Sequence, residues 1–352
     1  MLPRPTGQAK RGCAARLDGA KLWQVKALLD RLLREQPYAG DVANAAAWWG
    51  VLRGLLAGVA APLDRAIVGG FHADRLGYAF LGGYHAALRV LVPSLPDGAL
   101  VAMAASEQGG VHPRAIETSL VADGEAGWRM SGRKTFATLA PDAEHFLVIA
   151  GAAPVAPQSE AAPHGSASAQ ERDGVGRHRL RALVVEAHRP GIHVTPLPPT
   201  PFAPEIRHAS IELDNVRVAA ADLLPGDGYD RYLKPFRTIE DLHVLGASVG
   251  YLLGAARRYD WPRETAEEGC ALAAAVRGLA PALEEPLAPA LHVALAGVLG
   301  TVRPWADRCA PLWAGADPGA RARWERDRPL LEVAERARNA RRAAAWGALG
   351  RL

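Results

Sequence analysis

The chain has 352 residues, a formal net charge of +4, and 49% hydrophobic and 6% aromatic residues. That length supports two or three domains with a substantial core. The charge is too mild to single out nucleic acid as a partner. Met1 to Gly12 is rich in Pro, Gly and basic residues and lacks the apolar centre of a signal peptide. The apolar run Ala45 to Pro62 is broken by Arg53, holds three glycines and is short for a bilayer, so it reads as a packed helix rather than a membrane span. Cys13, Cys270 and Cys309 are far apart and form no C-x-x-C pair, which points to a reduced, cytoplasmic protein.

In chain order, residues 17 to 92 read as helices. Leu22, Val25, Leu28, Leu29, Leu32 and Leu33 fall near a 3.6 period within Leu17 to Leu33, and Trp48 to Ala60 and Leu76 to Leu91 follow the same rule. The pattern then changes. Val101 to Ala105 is a short apolar run, Ser106-Glu107-Gln108-Gly109-Gly110 interrupts it, and Ile116 to Val121 alternates. Asp123-Gly124 marks a turn, and Trp128 to Phe136 leads to the apolar run Phe146 to Ala150. Short runs punctuated by Gly, Asp and Pro predict antiparallel strands. Pro154 to Arg179 is rich in Pro, Ala, Ser and Gly without any period and reads as a disordered loop inserted between strands.

From Tyr229 onward helices return. Arg237 to Asp260 carries Leu242, Leu245, Gly246, Val249, Leu252, Leu253 and Ala256 on one stripe and Val244, Ala247 and Tyr251 opposite, which predicts a helix buried on both sides. Residues 266 to 300 read as one or two helices and Pro318 to Leu349 as a last one. Gly246-Ala247-Ser248-Val249-Gly250 matches the G-x-S-x-G pattern of a nucleophile elbow, with His292 the only downstream histidine. Helical period runs straight through that match, so the small residues are read as allowing close helix packing. The histidines show no metal spacing, and no G-x-G-x-x-G or P-loop occurs.

The order of the two breaks resembles the middle domain of the acyl-CoA dehydrogenase family. Ser106-Glu107-Gln108-Gly109-Gly110-Val111-His112-Pro113 stands where that family reads T-E-P-G-x-G-S-D. Ser131-Gly132-Arg133-Lys134-Thr135-Phe136-Ala137-Thr138 stands where it reads N-G-x-K-x-W-I-T. Ala182 to Glu186 with Pro190-Gly191-Ile192, and Ile211 to Val218 with Leu223-Leu224-Pro225-Gly226, resemble two later runs. The resemblance covers roughly residues 99 to 260.

The resemblance implies an α+β fold: an N-terminal helical domain over 1–98, a central antiparallel β domain over 99–225 and a C-terminal helical bundle over 226–352. It implies an FAD-dependent oxidoreductase that introduces an α,β double bond into an acyl-CoA thioester. An electron-transfer flavoprotein would be the acceptor, and self-association or pairing with another subunit is expected. Ala105, Ser106, His112, Phe136 and Thr138 match cofactor-contacting positions. No Y-E-G-T run is present, so the catalytic base falls to Glu240, in a stretch similar to the family's L-E-R-L-V-L-A-A-G helix. Asp241 stands where that helix carries arginine, which disfavours a second negative charge beside it. The plainer reading of Glu240 is an acid favoured by a helix N-terminus. The family's C-terminal arginine-phenylalanine and Q-x-x-G-G-x-G runs are missing from 261–352. Arginines between Arg321 and Arg342 are candidates for phosphate contacts or, more simply, a solvated face paired with Glu325, Glu332 and Glu335. A cofactor-poor partner subunit and a flavin monooxygenase on the same fold are the alternative readings.

Overall fold

The structure, a computed structural model, describes residues 19–96, 98–124, 127–152 and 179–350. The N-terminal basic segment and nearly all of the inserted Pro154–Arg179 stretch lie outside the described residues.

Four helices come first: α1 (Gly19–Arg34), α2 (Ala45–Leu55), α3 (Pro62–His72) and α4 (Leu76–Leu91). Helix α2 starts where the Asn44 side chain accepts the Ala47 N–H at 2.9 Å. It ends sooner than its apolar pattern predicts. The chain turns at Leu56–Ala61 and restarts at Pro62, whose fixed φ suits a first helical turn. Helix α4 spans the residues its period predicts and stops at Val92, which Pro93 holds out of the helical region.

Among the described residues seven strands follow: β1 (Val101–Ala104), β2 (Ser119–Ala122), β3 (Gly127–Thr138), β4 (His145–Ala152), β5 (Arg179–Glu186), β6 (Ile192–Pro196) and β7 (His208–Ala219). The predicted Asp123-Gly124 turn joins β2 to β3, with Gly124 at φ +76°. Antiparallel pairs β2–β3, β3–β7, β6–β7 and β4–β5 make up most of the sheet. The sheet is nonetheless mixed: β1 and β2 both run parallel to β4, β1 along His145–Val148 and β2 at Gly151–Ala152. A hairpin intervenes between β1 and β4, so the chain re-enters in the same sense. Alternation along β1 feeds two cores. Val101 and Met103 join the large helical core, and Ala102 and Ala104 join a second core enclosed by the sheet.

Five helices close the chain: α5 (Lys234–Arg258), α6 (Arg263–Gly278), α7 (Pro289–Cys309), α8 (Pro318–Asp327) and α9 (Glu335–Leu349). The last predicted helix is two, because Pro329 ends α8 and the chain makes a short 3₁₀ turn over Arg328–Glu332. Helix α5 is buried on both sides, as its pattern predicts. It lies against α3 and α4 with almost no side chain between the backbones. A Cβ added at Gly250 would overlap the Ile67 carbonyl, and one at Gly254 the Phe71 carbonyl. Gly250→Ala is therefore expected to cost about 2–3 kcal/mol through overpacking, read as a lowered urea midpoint with unchanged slope. Ser248 sits inside this helix with its Oγ donating to the Val244 carbonyl at 2.8 Å, while His292 Nε2 lies 3.1 Å from Thr238 Oγ1. The nucleophile-elbow pattern has neither the strand before it nor the histidine beside it.

No helix among the described residues is long and apolar enough to cross a membrane. No group of three or more His, Cys, Asp or Glu among them could hold a metal ion.

Candidate active site

The two sequence breaks are held together by a buried ion pair. Lys134 Nζ donates to Glu107 Oε1 and to the Ile149 carbonyl, each at 2.5 Å, and Lys134 is 0% exposed. Glu107 also accepts the Glu117 N–H at 2.6 Å and the Thr118 hydroxyl at 2.7 Å. Burial pushes the Glu107 carboxyl up, but Lys134 and these donors outweigh it and hold the group below its ordinary range. Burial lowers Lys134 to about 8 against the pull of Glu107. Because Glu107 precedes the first glycines and Lys134 lies within β3, their pairing brings Ser106 beside Phe136. The two residues form a β-bridge, and Thr135 N–H donates to the Ser106 carbonyl at 2.9 Å.

Strand β3 shifts register against β7 between Lys134 and Ala137. A bulge of this kind re-aims a side chain. Phe136 lies in the shifted stretch and is 46% exposed, unusual for a residue bracketed by buried Lys134 and Ala137. The His208 ring stacks on it, with centroids 4.2 Å apart. His208 Nδ1 is buried with no hydrogen-bond partner among the described residues, and burial lowers the pKa of the ring.

Two cavities meet here. One, about 280 Å³, is largely apolar, with Phe80, Phe202, Ile206, Val244 and Leu330 in its walls. The other, about 210 Å³, is lined by Tyr84, Ala105, Ser106, Phe236, Arg237 and Arg341 among others. Both share Phe136, Thr138, Glu240, Asp241 and Ala334. The fold thus gathers Ala105, Ser106, Phe136, Thr138 and Glu240, which are distant in sequence. His112 stands apart. It is exposed before the 3₁₀ turn Pro113–Ala115, its Nδ1 accepts the Arg114 N–H at 3.3 Å, and it lines neither cavity; its neighbour Val111 does.

Glu240 lies well inside α5, in its second turn, and not at a helix end that would offer it free N–H groups. Crowding by protein raises its carboxyl to about 8, and the neighbouring Asp241 adds to the rise; Arg237, Arg341 and Arg338 oppose it. Asp241 is itself buried and paired with two arginines of α9, Arg338 at 3.4 Å and Arg341 in direct contact. Burial raises its pKa too, and the two guanidiniums act against that. Asp241→Asn removes the like charge and frees both arginines to act on Glu240. The Glu240 pKa is expected to fall by on the order of one unit or more, followed as the shift of its carboxyl infrared band with pH.

Sequence alone assigns five of these residues no such place at the site. Glu107 and Lys134 lie within the quoted motifs, so their pairing was within reach. His208 carried no spacing signal. Arg338 and Arg341 lay in a run equally suited to a solvated face, and most of its members do pair within the chain: Arg321 with Glu325, Arg326 with Asp327 and Arg328 with Asp307.

No family model matches this sequence, and no curated protein matches it. Solved structures do share its fold. FMN-bound TdsC from Paenibacillus sp. A11-2 is 16% identical over 93% of this chain and 96% of that one, with a TM-score of 0.63. The prolyl acyl carrier protein oxidase AnaB is 14% identical over 95% and 99%, with a TM-score of 0.61. Butyryl-CoA dehydrogenase from Megasphaera elsdenii is 14% identical over 94% and 97%, with a TM-score of 0.60. The resemblance carried by the two motifs and the arrangement of helices around the sheet therefore agree: this chain is built on the acyl-CoA dehydrogenase fold.

Proposed function

We propose that the protein is a flavin-dependent oxidoreductase that removes hydrogen from the α and β carbons of an acyl thioester, with Glu240 as the base. The observation that carries this reading is a carboxyl with a raised pKa in the wall shared by two cavities, next to an exposed aromatic ring. Perturbed acids in clefts are where proton-transfer chemistry is found. The residues fit a flavin. Phe136 offers a flat apolar wall already backed by His208, and Ser106 and Thr138 bring hydroxyls to the same space. His208 Nδ1 is a buried polar atom still in need of a partner.

A bound flavin supplies the two-electron acceptor. The chain does the rest. Glu240 holds its proton at neutral pH in the free protein and is roughly one-tenth ionised at pH 7, given a pKa of about 8. The apolar 280 Å³ cavity excludes water from the acyl chain and keeps the carboxylate reactive. Arg237, Arg338 and Arg341 stabilise the carboxylate when it forms. FAD is the cofactor the motifs imply. FMN is the second reading, since TdsC carries FMN on this fold and the C-terminal runs for the rest of FAD are missing here. The thioester of coenzyme A is the first substrate to offer, and AnaB makes a carrier-bound acyl group the second.

The test is a visible spectrum of the protein reconstituted with FAD or FMN, then titrated anaerobically with acyl-CoAs. A flavin band at one per chain that bleaches on titration supports the proposal. Stoichiometric flavin that no acyl thioester reduces sinks the reaction. Failure to take up either flavin sinks the cofactor and favours the partner-subunit reading.

A further inference from the structure

The 280 Å³ cavity has a part of its wall that the other cavity does not share, and that part is built mostly of rings and branched chains. Phe80 comes from α4, Phe202 from the loop 197–207 and His208 from the first position of β7. Ile206, Val244 and Leu330 complete it. Phe80 and Phe202 are only half-buried although they sit between the sheet and the helices, so ring surface is left uncovered there. Ala105 and Ser106, the cofactor positions of the first motif, line only the other cavity, which leaves this one to the acyl group.

The rings are held from behind. Phe80 stacks on Tyr84 with centroids 5.6 Å apart, and the Tyr84 hydroxyl accepts the Met103 N–H at 2.9 Å. Phe202 is fixed through its backbone. Thr200 Oγ1 donates to the Phe202 carbonyl at 2.7 Å. The next residue, Ala203, has φ at +45°, a region that a residue with a Cβ seldom enters. Its N–H donates to Asp327 Oδ1 at 2.7 Å, and its carbonyl accepts the Ile206 N–H at 2.9 Å. Asp327 is 0% exposed and ends α8, so the loop is pinned to a helix. A wall pinned in this way keeps its shape without a ligand, which is what lets a site choose between ligands of similar polarity.

The polar groups of this wall are occupied. The Thr200 hydroxyl is spent on Phe202, and Arg338 is bonded to Asp241 and to the Leu331 carbonyl. Small-molecule sites begin at about 300 Å³, so a cavity of about 280 Å³ suits a compact group rather than a long chain. Rings favour a ring, because aromatic pairs gain more than the area they bury.

We propose that the acyl group ends in an aromatic ring: the substrate is a 3-arylpropanoyl thioester, with its ring against Phe80 and Phe202 and its α and β carbons toward Glu240. This rests on the dehydrogenation proposed above and narrows it. The Glu240 carboxylate takes the α proton, the β hydrogen leaves with its electron pair to the bound flavin, and the new double bond forms in conjugation with the ring. The β carbon is benzylic, so the ring spreads the positive charge left as the hydride departs.

Two measurements on the full chain test this. In the first, the flavin-loaded protein is titrated anaerobically with 3-phenylpropanoyl-CoA and with hexanoyl-CoA. Bleaching at least about tenfold faster with the aryl thioester is expected, together with the near-ultraviolet band of the cinnamoyl product. In the second, isothermal calorimetry compares cinnamoyl-CoA with trans-2-hexenoyl-CoA. Both are already unsaturated, so binding is read without turnover and without flavin. Cinnamoyl-CoA is expected to bind at least about fivefold more tightly. Phe80→Leu combined with Phe202→Leu, which keeps the wall apolar, is expected to erase most of that preference and to change the hexenoyl affinity by less than about twofold. A circular dichroism spectrum checks that this variant keeps the fold. Preference for cinnamoyl-CoA without any bleaching sinks the reaction and keeps the ring site. Bleaching by hexanoyl-CoA as fast as by the aryl thioester sinks the ring site and keeps the reaction. Equal affinity for the two unsaturated thioesters, or binding of neither, overturns the ring site, as does a preference that the double variant leaves untouched.

Discussion

Glu240→Gln is expected to slow flavin bleaching by an acyl thioester by at least about 10³-fold while making the protein more stable in alkali. The two effects have one origin. In the unfolded chain this carboxyl ionises near 4.5, and in the folded protein near 8. Between those values the native state holds a proton that the unfolded state has released, so stability falls as pH rises through this window and levels off above pH 8. The loss approaches on the order of 5 kcal/mol, at about 1.4 kcal/mol per pKa unit. Glutamine keeps the shape and has nothing to ionise. Urea unfolding should therefore show variant and wild type nearly equal at pH 4 and the variant ahead at pH 9. The wild-type rate should rise with pH toward about 8 and then flatten, because the base must lose its proton. A variant that still bleaches the flavin at the wild-type rate would remove Glu240 from the reaction. Equal stability at pH 9 would mean that the carboxyl is not raised.

Lys134→Met is expected to cost about 3–5 kcal/mol of stability, because it strands the Glu107 carboxylate in a buried position. Glu107 keeps its Thr118 and Glu117 donors but loses the one cation paired with it among the described residues. The damage should extend to the site, since this pair is what sets Ser106 against Phe136; flavin affinity should fall at least tenfold. Glu107→Gln combined with Lys134→Met removes both charges and should recover much of the stability, with a coupling of at least about 2 kcal/mol in a double-mutant cycle. Additive losses in that cycle would show that the pair is not an interacting unit.

Much of this could be read from the chain itself. Helix α4 has an unbroken 3.6 period and was bounded to the residue. Helix α5, apolar on two sides, announced its burial, and its glycines announced close neighbours. What periodicity cannot show is who lies beside whom. The apolar run Val101–Ala105 gives a strand but not a parallel partner in β4. Helix α3 lies inside the span that reads as helices but has no bounds of its own in the pattern; Gly70 is what lets it approach α5. At the site, motif order brought Ser106, Phe136 and Glu240 into view. Arg338 and Arg341 lie 97 and 100 residues beyond Asp241, and nothing local marks them as its partners. His112 shows the reverse: it stands at a motif position, but it lines neither cavity and its Nδ1 is taken by a local turn.

The glycine contacts of α5 bear on how the site opens. Glu240 rides on a helix welded to α3 and α4, where a shift of even a few tenths of an ångström would drive backbone into backbone. The opposite wall is different. Ala334, Ala337 and Arg341 belong to the last helix and the turn before it; that helix packs chiefly on α7 and leaves Trp346 and Leu349 exposed. One jaw is fixed by close backbone contact; the other is held by its packing on α7 and by the pairs of Arg338 and Arg341 with Asp241. Any swing of the last helix would draw Arg338 and Arg341 off Asp241 and leave its charge unpaired beside Glu240. Admission of a ligand and the acidity of Glu240 would then be linked, because the two arginines that hold its carboxyl down, and that neutralise Asp241 beside it, would leave together.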